Sequence, residues 1–438
     1  MLAFLGLHST AELFDAVPSA IRLARGLDLP AGISEADISV VLNEVGSKNA
    51  SVGVAGTGLV CFAGGGAYDH EIPAVTRSLA GRSEFVTAYT PYQPEVAQGV
   101  LQALFEYQTF ISRITGLPIS NSSLYDGSAA LVEAVNLAVA ETGNQKVVLS
   151  SGVHPGWRQV VTTFSKGTGH EIIPVNLKDG RTDWSGVTEQ QAGCVVVGFP
   201  SYVGTLESIS QARALADRIG ALLVVCQDPV AAGLLKSPGE LGADVVVGEA
   251  QAFGTALSFG GPYLGFFACK ERLVRRLPGR LVGETVDLDD KRSYVTTLRA
   301  REQDIRREKA SSNVCTNETL MAVTAAIQLG WLGTQGIREI ALSSARAARY
   351  AKDVLTDIPG VELVSNAPVL REFPLRLPLP ADLIIDRLLS DGYLAGIALH
   401  EGFEDTEYDG ALLLAFTERR TKTEIDDFAH AVRKVLIR

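Results

Sequence analysis

Cysteine is scarce and unpatterned in this sequence. Cys61, Cys194, Cys226, Cys269 and Cys315 share no metal-ligand spacing, so no metal site is expected. An odd number of cysteines on a 438-residue chain fits reduced, mostly buried thiols in a cytoplasmic protein. Basic residues are outnumbered, 39 Lys and Arg against 50 Asp and Glu, for a net charge of −11. That balance argues against nucleic acid or an anionic membrane surface as the main partner, since both need a basic face. No uncharged run approaches the length of a bilayer span. Met1 to Leu7 is apolar, but it lacks a basic start and is soon interrupted by His8 and Glu12, unlike a secretory signal or transit peptide. A soluble, intracellular protein is expected. Low-complexity tracts and short internal repeats are also lacking.

What is present is the composition of a folded chain, 46% hydrophobic and 20% charged, long enough for two or three domains. Ser34 with Asp37 three residues on starts a helix that continues through Ile38, Val41 and Leu42. The stretch from Ser51 to Gly66 is glycine-rich, but it has no GxGxxG between a strand and a helix. Turns and close backbone approaches are favoured there over a nucleotide loop. A long helix is predicted from Glu95 to about Thr115, with Val100, Leu104, Tyr107, Ile111 and Ile114 on one face, and a second after Gly127.

Short β-branched runs then alternate with helices: Lys146 to Ser150, Glu171 to Val175, Cys194 to Gly198, Leu222 to Cys226, Ala243 to Val247 and Tyr263 to Ala268, with a helix from Ser208 to Gly220. Continuous apolar strands of this kind belong to a mostly parallel sheet covered by helices on both faces. After about residue 325 the rhythm changes. A helix from Gln335 to Thr356, strands near Val361 and Phe373, a helix from Ala381 to Ser390, a strand at Leu412 and a final helix capped by Thr421 and Glu424 make a compact α+β unit. The division expected is therefore 1–65, helical and glycine-rich; 66–325, the large α/β domain; and 326–438, the small α+β domain. This layout resembles the aspartate-aminotransferase class of pyridoxal-phosphate enzymes, fold type I.

Specific residues sharpen the resemblance. Asn121 to Ser128 ends in a small-residue turn opening a helix. Its N–H groups suit a phosphate, although an ordinary cap by Asp126 or Ser128 is the favoured reading. His154 follows one strand, where a side chain can stack on a cofactor ring. Asp228 follows another, where a carboxylate can pair with a pyridinium nitrogen. Turn positions like these are commonplace for both residue types. The next strand is where this class places the lysine that binds the cofactor covalently. Val245 to Gly254 contains none; Lys236 and Lys270 lie to either side, and Gln251 stands at the expected place. An amide forms no Schiff base with an aldehyde.

The runs Gly66 to Val75, Ser83 to Phe85, Thr87 to Glu95 and Asn121 to Gly127 resemble the amino-terminal half of the P-protein of the glycine cleavage system, glycine dehydrogenase (decarboxylating). So do Phe259 to Pro262, Arg301 to Gln303, Ile305 to Ala310 and Ser312 to Thr316, and the similarity runs nearly end to end. In that family two homologous halves, or two separate subunits, make the enzyme, and the lysine belongs to the carboxy-terminal half or subunit 2. The resemblance implies that pyridoxal phosphate is held covalently by the partner, glycine dehydrogenase subunit 2, and not by this chain. It also implies the reaction: glycine loses its carboxylate, and the aminomethyl group passes to the lipoyl arm of H-protein.

Enzymes of this class build their active sites at subunit boundaries. The candidate catalytic contributions are Tyr92 and Gln93, on a loop stiffened by Pro91 and Pro94, with Arg306 and Asn313. A stiff connector carrying a core tyrosine is the plainer reading of that loop. Residues 299–309 are dense in charge of both signs, which suits a solvated helix as well as it suits an Arg306 or Arg307 reaching a carboxylate or phosphate. Cys315 is expected to be small and buried, and His70 a satisfied hydrogen-bonding residue near the surface. Against an enzyme subunit stand two other readings: a scaffold that supplies no active-site group, and an independent nucleotide-using enzyme built on residues 51–66.

Overall fold

In the computed structural model the described residues are 1–438 apart from 24, 53–57, 401, 405 and 438, with the side chain of Arg301 also outside the description. The middle of the glycine-rich 51–66 stretch therefore lies outside the described residues. The chain divides into two compact units, Met1–Ala50 and Ser51–Arg438. The first holds two short 3-10 turns and the helix Glu35–Gly46, whose N-cap Ser34 accepts the Asp37 N–H as expected. None of its described residues is buried.

The second unit is organised by one sheet. Its strands are β1 (Ile119–Ser120), β2 (Lys146–Ser150), β3 (Glu171–Val175), β4 (Cys194–Phe199), β5 (Leu222–Gln227), β6 (Val245–Glu249) and β7 (Gly265–Cys269), in the order β1-β7-β6-β5-β4-β2-β3. The five strands from β6 across to β3 are parallel, while β7 and β1 close one edge antiparallel. Side chains alternate between faces. Val195 and Val197 join the core beneath the helices Gln98–Thr115 and Ile209–Arg218, while Cys194 and Val196 join the opposite core beneath Gly127–Thr142. Every residue of β4 and β5 is buried, which explains why they read as unbroken apolar runs.

A four-stranded antiparallel sheet, built from Glu362–Leu363, Glu372–Arg376, Ala411–Ala415 and Ile397–Leu399, packs with Ala381–Ser390 and Lys422–Ile437 around Phe62, Phe373, Phe416 and Phe428. The helix predicted from Gln335 in fact begins at Thr319, with a break in helical geometry at Gly333. Its first half buries Ala322, Ala325 and Ala326, whose small side chains leave little periodic signal. The hairpin Leu281–Val286 with Arg292–Thr297 has no counterpart in the sequence reading, because its outer half is exposed and charged. Among the described residues, no helix is long and apolar enough to cross a membrane.

Candidate functional site

The parallel strands β2, β5 and β6 all end at one edge, and in open α/β sheets ligand sites form there. His154, Asp228 and Gln251 follow those three strands, and the fold brings them into one cleft with Gly66, Tyr68 and Arg371. None of the described residues lining it is a lysine. Lys270, one of the two nearest in sequence, is held instead by Asp244 at 2.8 Å.

The places where the aminotransferase resemblance puts the amine, the phosphate and the ring partner lie in this cleft or at the helix opening beside it, and each is occupied from within the chain. Gln251, 2% exposed, is locked in place. Its side-chain oxygen accepts the Tyr68 N–H at 3.1 Å, and its amide donates to the Thr255 carbonyl at 2.6 Å and the Tyr68 carbonyl at 3.3 Å. At the helix opening, Asp126 is the N-cap, accepting from Ala129 N at 2.8 Å and Ser128 Oγ at 2.6 Å. The neighbouring Gly127 N–H goes to Glu249 at 3.0 Å, and the same carboxyl accepts from Leu264 N at 2.7 Å and Gln251 N at 3.0 Å. A Cβ on Gly127 would lie 2.1 Å from the Trp157 ring, so the indole covers that turn closely. The cap reading of Asn121 to Ser128 is the one the geometry carries. A phosphate placed here would face two carboxyl groups and an indole.

The third station is Asp228, whose carboxylate pairs with Arg371 at 2.7 Å. The Arg371 guanidinium lies 3.6 Å from the centroid of the Tyr68 ring and also donates to His70 Nε2. Its neighbour Glu372 accepts from Tyr68 OH and Gly65 N, both at 3.1 Å. Burial pushes the carboxyls of Glu249 and Glu372 up to about 7 and holds His154 down at about 4, so the imidazole is neutral near pH 7. His154 Nδ1 accepts the Gly156 N–H at 3.0 Å, which leaves the proton on Nε2; the ring stacks on Trp157 with centroids 5.7 Å apart. The space left is about 80 Å³, against roughly 300–1,000 Å³ for sites that hold cofactor-sized molecules. The residues of this chain's own cleft do not fit pyridoxal phosphate.

A solved structure described as glycine decarboxylase (P-protein) of the glycine cleavage system, in inhibitor-bound form, superposes with a TM-score of 0.93 at 40% identity, covering 100% of this chain and 97% of that one. The family described as glycine cleavage system P-protein matches residues 1–432. The chain belongs to the P-protein family. Among curated members, proteins named "Probable glycine dehydrogenase (decarboxylating) subunit 1" are 47% identical in Moorella thermoacetica, over 100% of this chain and 97% of theirs, and 43% identical in Desulforamulus reducens, over 97% and 95%. A cysteine desulfurase from Escherichia coli shares the fold alone, with a TM-score of 0.63 at 14% identity over 86% of this chain and 95% of its own. The fold is thus the fold type I architecture expected from the sequence.

The four residues singled out in this P-protein chain line none of the cleft. Tyr92 stands half exposed, its hydroxyl accepting from Arg280 at 3.2 Å, with the guanidinium groups of Arg280 and Arg299 over its ring at 5.2 and 5.7 Å. Gln93 beside it and Asn313 are exposed. Arg306 lies elsewhere, exposed at the end of the four-residue helix Gln303–Arg306, lining a pocket of about 300 Å³ with Arg275, Arg276 and Lys309.

Two smaller expectations need correcting. Cys315 is exposed, because Tyr125 OH accepts its N–H and holds the backbone of a coil segment whose side chain faces outward. His70 is satisfied, by Glu418 at 2.7 Å and by Arg371, but it is buried rather than near the surface. Sequence reasoning missed Arg371, Glu249 and Arg280. Arg371 and Glu372 do leave a trace, as a charged pair just before the apolar residues Phe373, Pro374 and Leu375.

Proposed function

We propose that this chain is the subunit of glycine decarboxylase that does not anchor the cofactor. In this reading it acts only in complex with a lysine-bearing partner, glycine dehydrogenase subunit 2. Together they decarboxylate glycine and transfer the aminomethyl group to the lipoyl arm of H-protein. Pyridoxal phosphate supplies the electron sink for that chemistry when bound, and this chain's residues act beside it rather than on it.

The observation that carries the reading is the triple self-occupation of the cleft and the helix opening beside it. Gln251 replaces an amine, Glu249 takes the Gly127 N–H, and Arg371 neutralises Asp228. A chain so arranged must borrow its electron sink. The odd number of scattered, unpatterned cysteines is in keeping with a cytoplasmic enzyme.

The contribution to the shared site is assigned to Tyr92 and Gln93, with Arg306 and Asn313 as further candidates. Glycine-dependent carbon dioxide exchange by the reconstituted pair tests this. With assembly intact, Tyr92→Phe or Arg306→Ala should lower turnover by about tenfold, the effect of losing one hydrogen bond or charge contact worth ~1.4 kcal/mol. Unchanged turnover in both variants would favour a pure scaffold instead.

A further inference from the structure

Arg280 is buried, yet among the described residues no carboxylate pairs with it. A guanidinium removed from water normally finds an anion. This one is satisfied by four neutral acceptors: Tyr92 OH at 3.2 Å, the Cys315 carbonyl at 3.0 Å, Thr316 Oγ1 at 3.1 Å and Asn317 Oδ1 at 3.2 Å. Its own carbonyl accepts from Ser122 N at 2.9 Å and Ser122 Oγ at 3.1 Å.

Those partners lie on three separate segments: the Thr90 to Glu95 loop, the Asn121 to Tyr125 turn and the coil 312–317. All three belong to strings on which the family resemblance rests or adjoin them, and none is near Arg280 in sequence. The segments also grip one another. Asn317 Nδ2 donates to the Ser122 carbonyl at 2.8 Å and to Ser123 Oγ at 3.1 Å, and Tyr125 OH accepts from Cys315 N at 3.2 Å. Ser123 is held there at φ 110, a left-handed conformation that a non-glycine residue keeps only when its surroundings fix it. The outer face of this knot presents Tyr92, Tyr125 and Cys315.

We propose that Arg280 is a positioning residue for the shared active site: its guanidinium fixes the Tyr92 loop to the 315–317 segment, so that Tyr92 reaches the partner in one orientation. A planar fork with several donors in fixed directions can hold acceptors from two segments at once, and an ammonium on a flexible stem cannot reproduce that fan. The proposal rests on the functional reading above. It deepens that reading by naming the residue that makes the loop rigid.

The test is a double-mutant cycle in the reconstituted pair, with wild type, Arg280→Lys, Tyr92→Phe and the double variant compared for glycine exchange. Exchange by the wild-type pair is the check on the functional reading itself; without it that reading fails first. Given wild-type exchange, Arg280→Lys should lower kcat about tenfold, the cost of one hydrogen bond, with the KM for glycine little changed. The double variant should be no worse than Tyr92→Phe alone. Multiplying effects, or an unaltered kcat, would overturn the proposal. A second arm needs no assembly. In the isolated chain, Arg280→Lys should speed trypsin cleavage selectively after Arg306, Arg307 and Lys309, beside the released segment. Cleavage at the wild-type rate would show that Arg280 does not hold the segment, and acceleration throughout the chain would assign it to the fold alone; either result overturns the proposal.

Discussion

Gln251→Lys is expected to leave the isolated chain without covalently bound pyridoxal phosphate. A lysine at the end of β6 restores the amine and nothing else. The phosphate end of the site still presents Asp126 and Glu249, with Gly127 N–H already committed at 3.0 Å. Burial raises the Glu249 carboxyl to about 7, so above neutrality it is mostly ionised and repels a phosphate dianion; below, it is protonated but still occupies the space. The ring end offers Asp228, already neutralised by Arg371 at 2.7 Å. Capture of the coenzyme needs an anion cradle and a free carboxylate as well as an amine, so one substitution out of three should fail. Borohydride reduction followed by intact-mass measurement reads this directly. Stoichiometric capture by the single variant would mean that the cleft opens far more readily than its packing implies.

Arg371→Leu carries the largest expected loss of stability. The arginine is buried and ties the end of β5, through Asp228, to the opening of the strand Glu372–Arg376. Removing one partner of a buried ion pair strands the other, at about 3–5 kcal/mol, out of the roughly 5–15 kcal/mol that holds a typical domain together. Urea denaturation monitored by circular dichroism should show that loss as a lower midpoint at an unchanged slope. Adding Asp228→Asn should recover part of it, because the stranded charge is then gone. A loss below about 1 kcal/mol would be the size of an exposed pair, and would refute the view that this ion pair ties the two elements together.

Both predictions draw on contacts that differ in how plainly the sequence shows them. The parallel sheet was legible because β4 and β5 are buried along their whole length, and burial on both faces writes itself as runs such as Val195 to Val197 and Leu222 to Cys226 with no charged residue. The end of β6 was equally legible, since a missing lysine is a property of a string. Gln251, His154 and Asp228 could each be placed just past a strand end, and the structure brings the three into one cleft.

Arg371 was hidden for the opposite reason. It reaches Asp228 and Tyr68 from a different sheet, and no local pattern encodes a contact between residues so far apart. Arg280 was hidden likewise. A lone arginine after Pro278 and Gly279 reads as an exposed turn residue until its four acceptors are seen around it. Cys315 misled because cysteine is usually buried, and the coil that holds it outward is set by Tyr125, far away in the chain. The first half of the helix Thr319–Thr356 was missed because alanines bury little and so carry little periodicity.

The most direct test is to purify this chain alone, add pyridoxal phosphate and glycine, and record visible absorbance and carbon dioxide exchange. The expected result is a colourless protein with no exchange, which begins only when the lysine-bearing partner is supplied. A chain that by itself turns yellow and consumes glycine would contradict the account.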